Sequence, residues 1–249
     1  MTGVYLYGIA SASERIDVEA PGVGGPDTAV RRVVHGELAA LVSEVEIGPL
    51  TAARDLRAHW RVLEEAASSA TVLPVRFGTI LENDDALVAE FMAPRHDRLV
   101  AQLAELSGKI QLNVKCFYDE DKLLRNVVRG SPAIARLNER VRGKPEAATY
   151  YERIQLGELV AGEVEQTRVR DAALVMERLE PLAVAARNEA PNTSDSAVNA
   201  AFLVERAKLD EFSAAVTALT SEVEDRMRLR YIGPLPPYSF AEEETAAWA

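Results

Sequence analysis

The stretch that most constrains the fold lies near the end of the chain, at Leu229-Arg230-Tyr231-Ile232-Gly233-Pro234-Leu235-Pro236-Pro237-Tyr238-Ser239-Phe240. It begins as a strand-like run and continues with three prolines in four residues. Each proline fixes φ near about −65° and lacks an amide donor, so the chain is predicted to leave a sheet at Gly233 and continue as an extended arm. Tyr238 and Phe240 would anchor that arm, because aromatic side chains supply large contact areas. The arm either clasps its own domain or contacts a partner.

The composition limits the class of protein. The 249 residues, 48% of them hydrophobic, allow one large domain or two small ones. The net charge of −11 disfavours binding to nucleic acid or to anionic membrane surfaces. The lone Cys116 excludes an internal disulfide, and its apolar neighbours predict a buried, unreactive thiol. The amino terminus lacks the features of a signal peptide and no apolar run reaches the ~20 residues of a membrane span, so we expect a cytosolic protein.

The first part of the chain is predicted to form strands followed by a helix. Residues 4–9 form a predicted strand, and residues 29–35 and 38–45 form a predicted hairpin across Gly36-Glu37. A helix follows, with Thr51 as its expected cap. Its core stripe is predicted from helical spacing at Leu56, Trp60, Leu63 and Ala67. His59 is expected beside that stripe, as a surface or second-layer residue.

The next run, at residues 71–80, contains a proline and therefore predicts a sheet edge or a bulge at Pro74. Arg76, flanked by apolar residues, either pairs with a carboxylate or recognises a partner. Asn83 or Asp84 is expected to cap a helix that Pro94 kinks and that ends near Gly108. These elements predict a small sheet with its helices on one face.

The second part begins with a strong strand at residues 110–118. The acids at 119–121 fit the first turn of a helix better than a cation site. Short helices, a long helix over about 145–179, strands at 182–190 and 198–204, an amphipathic helix and a strand at 229–232 complete the order. The buried side of the long helix is predicted to carry Tyr151, Ile154, Ala161, Val164, Val175 and Leu179. The turn between the middle strands is expected at residues 191–196.

The element order of this second part, βαββαβ, is that of a ferredoxin-like sandwich. We therefore predict an α+β protein of two small domains, at residues 1–109 and 110–233, with an extended carboxy-terminal tail at 234–249. Three widely separated histidines and the lack of any GxSxG, HExxH or CxxC motif argue against a catalytic or metal site. We accordingly expect a protein that is not an enzyme and carries no cofactor, although distant residues can assemble a site.

Three stretches together resemble a known family. They are Val4-Tyr5-Leu6-Tyr7-Gly8-Ile9, Val72-Leu73-Pro74-Val75-Arg76-Phe77-Gly78-Thr79, and the carboxy-terminal stretch that opens at Leu229. In this order and at this chain length they resemble the gas vesicle proteins of the F/L type (GvpF/GvpL). The resemblance implies two domains, the second a modified ferredoxin-like fold, and a minor, non-catalytic role in gas vesicle formation.

The resemblance also implies partners. They are the small hydrophobic shell protein (GvpA) and other accessory gas vesicle proteins, met in the cytoplasm or at the vesicle during nucleation and early assembly, where the chain would limit aggregation. Either an exposed sheet edge or an apolar patch could carry the contact. The hypothesis places Arg76, Phe77, Tyr231, Tyr238 and Phe240 near the partner surface. The alternatives are that these residues lock the two domains together, or that the chain is an enzyme or small-molecule-binding protein on ferredoxin-like domains.

Overall fold

Two sheets organise the chain. We analysed a computed structural model, which describes residues 2–46, 48, 52–189, 193 and 195–241. The expected cap Thr51 and half of the expected turn at 191–196 lie outside these residues. The predicted mixture of antiparallel sheets and helices is confirmed. Among the described residues, no helix is both long and apolar enough to cross a membrane.

The first sheet has the strand order β2-β3-β1-β4, and β5 also pairs with β1. Its strands are β1 (Thr2–Ser11), β2 (Arg31–His35), β3 (Leu38–Glu46), β4 (Val72–Pro74) and β5 (Ile80–Leu81). The predicted hairpin is confirmed, since β2 pairs with β3 in antiparallel register from Arg31 opposite Val42 to His35 opposite Leu38. The predicted edge position of Pro74 is also confirmed.

The helices of this first part lie on both faces of the sheet, so the prediction of one covered face is wrong. Neighbouring residues of β1 enter different core clusters: Leu6 belongs to the cluster that contains Leu103, and Tyr7 belongs to the cluster that contains Leu63. Helix α1 spans Ala52–Ser69 and α3 spans His96–Leu106. Residues 3–10 are buried throughout, a pattern expected of a strand that is covered on both faces.

The apolar stripe predicted for α1 is rotated around the helix relative to the face that is buried in the structure. Leu63 and Ala67 are buried as predicted, but Leu56 and Trp60 are exposed. The buried face instead continues through His59, so the prediction of a surface or second-layer histidine is wrong. Val62 and Ala66 complete this face.

An irregular helical segment precedes α3. Asn83 caps the short helix α2 (Asp84–Ala86), because its side-chain oxygen accepts a hydrogen bond from the amide of Ala86. A π-helical turn at Leu87–Met92 and a 3₁₀ turn at Ala93–Arg95 follow. The predicted distortion around Pro94 is thus confirmed, as is the stop near Gly108, whose φ is 70°.

The second sheet has the strand order β7-β8-β6-β9. Its strands are β6 (Lys109–Tyr118), β7 (Ala185–Asn188), β8 (Ser196–Glu205) and β9 (Met227–Leu235). Three helices connect β6 to β7, namely α4 (Glu120–Gly130), α5 (Pro132–Val141) and α6 (Tyr150–Leu179). Helix α7 (Leu209–Val223) connects β8 to β9. The acids after β6 do begin a helix, and Asp119 caps it by accepting from the amide of Lys122.

Only the end of the long helix α6 is buried as predicted. Val175 and Leu179 are fully covered, whereas Tyr151, Ile154 and Ala161 are exposed. The apolar residues of a helix of 30 residues do not share one buried face here, because the core covers only its last turns. The amphipathic stripe of α7 is confirmed from Phe212 to Val223.

Strand β9 does not end at Gly233, where the sequence predicted the chain to leave the sheet. It continues to Leu235 through a cis peptide bond between Gly233 and Pro234. Gly233 has a φ of 144°, and a Cβ there would lie 2.7 Å from a methyl carbon of Leu112, so the position requires glycine.

The chain divides into two compact units. The first comprises residues up to Leu112, residues 203–206 and the described residues from Ile232 onward. The second comprises residues 113–202 and 207–231. The domain limits drawn from the sequence, 1–109, 110–233 and 234–249, stay a prediction.

Candidate partner-binding surface

A buried histidine lies at the centre of the first unit. The His59 side chain comes from α1 and is 2% exposed. Its Nδ1 lies 2.9 Å from the Tyr5 hydroxyl, and its Nε2 lies 3.4 Å from the Tyr238 hydroxyl. The amide of Gly78 donates to the Tyr5 oxygen at 3.1 Å, which leaves the Tyr5 hydrogen free to point at Nδ1. This network favours the tautomer with its hydrogen on Nε2, facing Tyr238.

Burial makes His59 a neutral packing group. Desolvation lowers the pKa of its imidazole from 6.5 to about 4. Desolvation also raises the pKa of the Tyr5 and Tyr238 hydroxyls above their usual value. A neutral imidazole between two protonated phenols supplies directional hydrogen bonds, and it holds the strand, the helix and the carboxy-terminal segment together.

Five further rings surround or adjoin His59. Tyr7 stacks on the imidazole at a centroid distance of 5.7 Å, and Phe77 meets it edge-on at 5.6 Å. Trp60 and Tyr238 pack at 4.8 Å. We call the set the aromatic cluster; it comprises Tyr5, Tyr7, His59, Trp60, Phe77 and Tyr238. Such ring pairs add roughly 0.5–1.5 kcal/mol each beyond the burial of their area.

Arg76 and Phe77 lie in the loop between β4 and β5. The loop is tied to β1 at both ends, because the Val75 amide donates to the Tyr7 carbonyl and the Leu6 amide donates to the Thr79 carbonyl. Phe77 turns inward to the aromatic cluster and is half-buried. Arg76 is exposed and makes no ion pair with any residue that the structure describes. The described part of the chain thus supplies no carboxylate partner for Arg76, and its role in recognition stays a prediction.

The carboxy-terminal segment, residues 236–241, folds back on the first unit. Gln111 holds Ser239 twice: its side-chain oxygen accepts from the Ser239 amide at 2.8 Å, and its side-chain nitrogen donates to the Ser239 hydroxyl at 3.1 Å. Tyr238 enters the aromatic cluster, while Phe240 packs against the other core cluster, the one that contains Leu103. The segment thus makes the contacts of an internal clasp.

Tyr231 belongs to the second unit. Its hydroxyl lies 3.0 Å from the Ser213 hydroxyl, and its ring lies 6.2 Å from that of Phe212. Of the five hypothesised residues, the structure therefore brings Phe77 and Tyr238 together, with Arg76 next to them in sequence. Phe240 lies in a different core cluster of the same unit.

The outer side of α1 carries an apolar surface with two arginines and the exposed Glu64, which sequence reasoning missed. Trp60 is 37% exposed, and Leu56 lies one turn before it. Arg57 and Arg61 are exposed on the same side and form no ion pair with a described residue. We call Leu56, Arg57, Trp60 and Arg61 the α1 surface. The missed signal was the helical phase, since Asp55, His59, Val62 and Ala66 also recur at helical spacing.

The second unit contains a cavity of about 420 Å³. It is relevant to the alternative of an enzyme or small-molecule-binding protein, because such a protein needs a pocket. Its wall includes Asp171 and Arg226, whose side chains pair at 2.6 Å, and Tyr118 donates a further hydrogen bond to Asp171 at 2.9 Å. The Asp171 carboxylate thus accepts hydrogen bonds from both Arg226 and Tyr118. Among the described residues, no three histidine, cysteine or acidic side chains group together as a metal site would require.

Comparison with known proteins identifies the class. A family profile described as "Gas vesicle synthesis protein GvpL/GvpF" matches residues 3–242. Gas vesicle protein F of Streptomyces sp. (strain CB03234) is 38% identical over 239 residues, covering 96% of this chain and 99% of that protein. The crystal structure of GvpF from Anabaena sp. PCC7120 superposes with a TM-score of 0.79 at 27% identity, covering 97% of this chain and 99% of that one.

The fold and these matches define a gas vesicle protein. The chain belongs to the GvpL/GvpF family, and the resemblance noted from its three sequence stretches is confirmed. A protein named gas vesicle protein L, also from Streptomyces sp. (strain CB03234), is 25% identical over 269 residues, covering 95% of this chain and 92% of that protein, so the chain is similar to both named types.

Proposed function

We propose that this chain is a non-catalytic accessory protein of gas vesicle formation. It binds the small hydrophobic shell protein (GvpA) and other accessory gas vesicle proteins during nucleation and early assembly, and it limits aggregation of the shell protein. It acts in the cytoplasm and at the growing vesicle. The whole-length match to relatives named gas vesicle proteins F and L supports the pathway.

We further propose that the second unit is a modified ferredoxin-like domain. The strand order β7-β8-β6-β9, with helices after β6 and after β8, supports this assignment. Strand β9 ends that order and leaves one side open, so Tyr231 lies on an edge strand that suits strand addition by a partner.

The observation that carries the proposal is the α1 surface beside the aromatic cluster. A shell subunit exposes apolar area before assembly, and such area aggregates in water. Trp60 and Tyr238 offer apolar contact area to it, and Phe77 supports them from inside. Arg57, Arg61 and Arg76 offer free guanidinium groups for its carboxylates.

The test is a pull-down of the shell protein from cells that co-express both chains. Arg76→Glu changes an exposed side chain, so it should leave the fold intact and lower capture at least about fivefold through one lost contact and one repulsion. Arg125→Glu is the matched control, because Arg125 is exposed on α4 and forms no ion pair with a described residue. It should capture like the wild type.

Two further variants examine the aromatic part. Trp60→Ala removes a ring that is 37% exposed and packs against Tyr238, and it should also reduce capture. Like Tyr238→Ala and Phe240→Ala, it needs a folding control by circular dichroism. Normal capture by folded Arg76→Glu and Trp60→Ala proteins would refute a contact made by the α1 surface together with Arg76. If the wild type captured no gas vesicle protein, the alternative of an enzyme or small-molecule-binding protein would be favoured.

A further inference from the structure

A second surface runs along the outer side of α6. Seven residues spaced by four, four, three, four, three and four positions share one face of this helix, and all seven are exposed. They are Tyr151, Gln155, Leu159, Gly162, Gln166, Val169 and Ala173, which we call the α6 stripe. None is charged, although 27% of the chain is charged. Tyr151 is 81% exposed and Val169 is 64% exposed.

The α6 stripe lies away from the buried face of its own helix, and its Tyr151 ring meets the neighbouring Tyr150 ring edge-on at 5.5 Å. The core contacts of α6 come from a different face, at Asp171, Val175 and Leu179. The stripe extends for roughly 33 Å at the rise of an α-helix. Its spacing of three and four residues is that of a helix that packs lengthwise against another helix.

Gly162, in the middle of the stripe, adds a second observation. Glycine is the least favourable residue in a helix interior apart from proline. A Cβ at this position would meet nothing within 4 Å, so the chain itself does not require glycine here. The missing side chain lets the backbone of another molecule approach the helix closely.

The borders of the stripe indicate the partner's charge. Glu158 and Glu165 line one side; Glu152 and Glu177 line the other, where the exposed Arg170 is already paired with Glu163 at 2.8 Å. These four carboxylates form no ion pair with any residue in the described part of the chain. A second copy of the chain would therefore bring acidic borders against acidic borders, which is unfavourable.

We infer that the α6 stripe docks an amphipathic helix of a partner protein whose narrow apolar face is bordered by lysine or arginine. The polar Gln155 and Gln166 within the stripe limit the apolar area, so the docking is reversible and its strength depends on salt.

Binding of two synthetic peptides to the full chain tests the inference by fluorescence anisotropy. Both peptides are 25-residue helices with the same leucine and alanine face; one has lysine borders and the other glutamate borders. We expect the lysine peptide to bind at least about tenfold more tightly, because four border pairs change from repulsion to attraction. The advantage should shrink as salt is added.

Two double variants distinguish the contribution of the border charges from that of the apolar side chains. Glu158→Lys with Glu165→Lys should weaken the lysine peptide by about tenfold and strengthen the glutamate peptide. Leu159→Gln with Val169→Gln should weaken both peptides. Val184→Gln is the matched control, because Val184 is 51% exposed and lies outside α6, and it should bind like the wild type.

Three results of the binding measurements would overturn the inference. They are equal binding of the two peptides, no binding of either by the folded chain, and binding that the Leu159→Gln and Val169→Gln changes leave intact while circular dichroism shows an intact helix. A dimer in sedimentation equilibrium that Val169→Gln dissociates would assign the α6 stripe to a second copy of the chain and would also contradict a basic partner helix.

Discussion

Replacement of His59 by glutamine should make the stability of the first unit less sensitive to acid. The folded protein keeps this imidazole neutral down to about pH 4, because burial lowers its pKa. The unfolded chain takes up a proton near the ordinary pKa of 6.5. Glutamine keeps a donor and an acceptor for Tyr5 and Tyr238 but does not titrate.

The direction of this pH dependence follows from the number of protons that each state binds. Above the unfolded pKa of 6.5 both states are neutral at His59, and the residue contributes no pH dependence. As the pH falls from 6.5 towards about 4, the unfolded state binds more protons than the folded state, so the free energy of unfolding decreases. A tenfold difference in proton affinity between the two states corresponds to about 1.4 kcal/mol, so the pKa difference gives about 3 kcal/mol in total, of which about 2 kcal/mol is lost between about pH 7 and pH 5.

Urea unfolding followed by tryptophan fluorescence measures this effect locally. The chain has two tryptophans, Trp60 and Trp248. In a Trp248→Phe background the signal comes from Trp60, which packs against Tyr238. Between about pH 7 and pH 5, the free energy of unfolding of the wild type should decrease by about 2 kcal/mol more than that of His59→Gln. The contributions of other titrating groups cancel in this difference.

His96→Gln is the control for loss of an imidazole outside the aromatic cluster. His96 lies at the start of α3 and its Nδ1 contacts Asp97 at 3.1 Å. The free energy of unfolding of the wild type and of His59→Gln could instead decrease by the same amount, within about 0.5 kcal/mol, between about pH 7 and pH 5. His59 would then not stay neutral in the folded state, and the tautomer assigned from its hydrogen bonds would also be wrong.

Three further predictions concern buried side chains. Tyr238→Phe should cost less than about 1 kcal/mol, because it removes one long hydrogen bond, whereas Tyr238→Ala should cost about 3–5 kcal/mol in urea unfolding. Cys116 is fully buried and burial raises the pKa of its thiol, so a disulfide reagent should modify it at least about tenfold more slowly in the native state than in urea. Asp171→Asn should cost about 3–5 kcal/mol because it leaves the Arg226 charge without its buried partner, whereas Asp225→Asn, at the exposed partner of the same arginine, should cost less than about 1 kcal/mol.

Local sequence patterns predicted which segments form helices and strands better than they predicted which side of each helix is buried. The Gly36-Glu37 link between two strand-like runs predicted the hairpin, and Asn83 or Asp84 predicted a helix start, because these signals act within a few residues. The predicted phase of α1 was wrong because Trp60 is more hydrophobic than its neighbours, yet its ring lies at the rim of the aromatic cluster. Which face of a helix is covered depends on strands far away in sequence.

The role of His59 could not be predicted for the same reason. Its hydrogen-bond partners, Tyr5 and Tyr238, lie 54 and 179 positions away along the chain. A histidine counts as polar in a periodicity analysis, but with two phenols to satisfy its nitrogens it packs like an apolar residue. The carboxy-terminal segment was predicted to hold aromatic anchors, but the sequence left open what they contact.

The two proposed surfaces carry opposite local charge within a chain of net charge −11. Exposed charges act over about 8 Å at physiological salt, so a docking helix senses the nearby side chains rather than the net charge. The α1 surface, with Arg57 and Arg61, favours acidic partners, and the carboxylates along the α6 stripe favour basic ones. The two proposals together predict that the chain binds two chemically different proteins. Arg76→Glu should then reduce capture of one partner while binding of the lysine-bordered peptide to α6 stays unchanged, and a reduction of both would show that the surfaces are not independent.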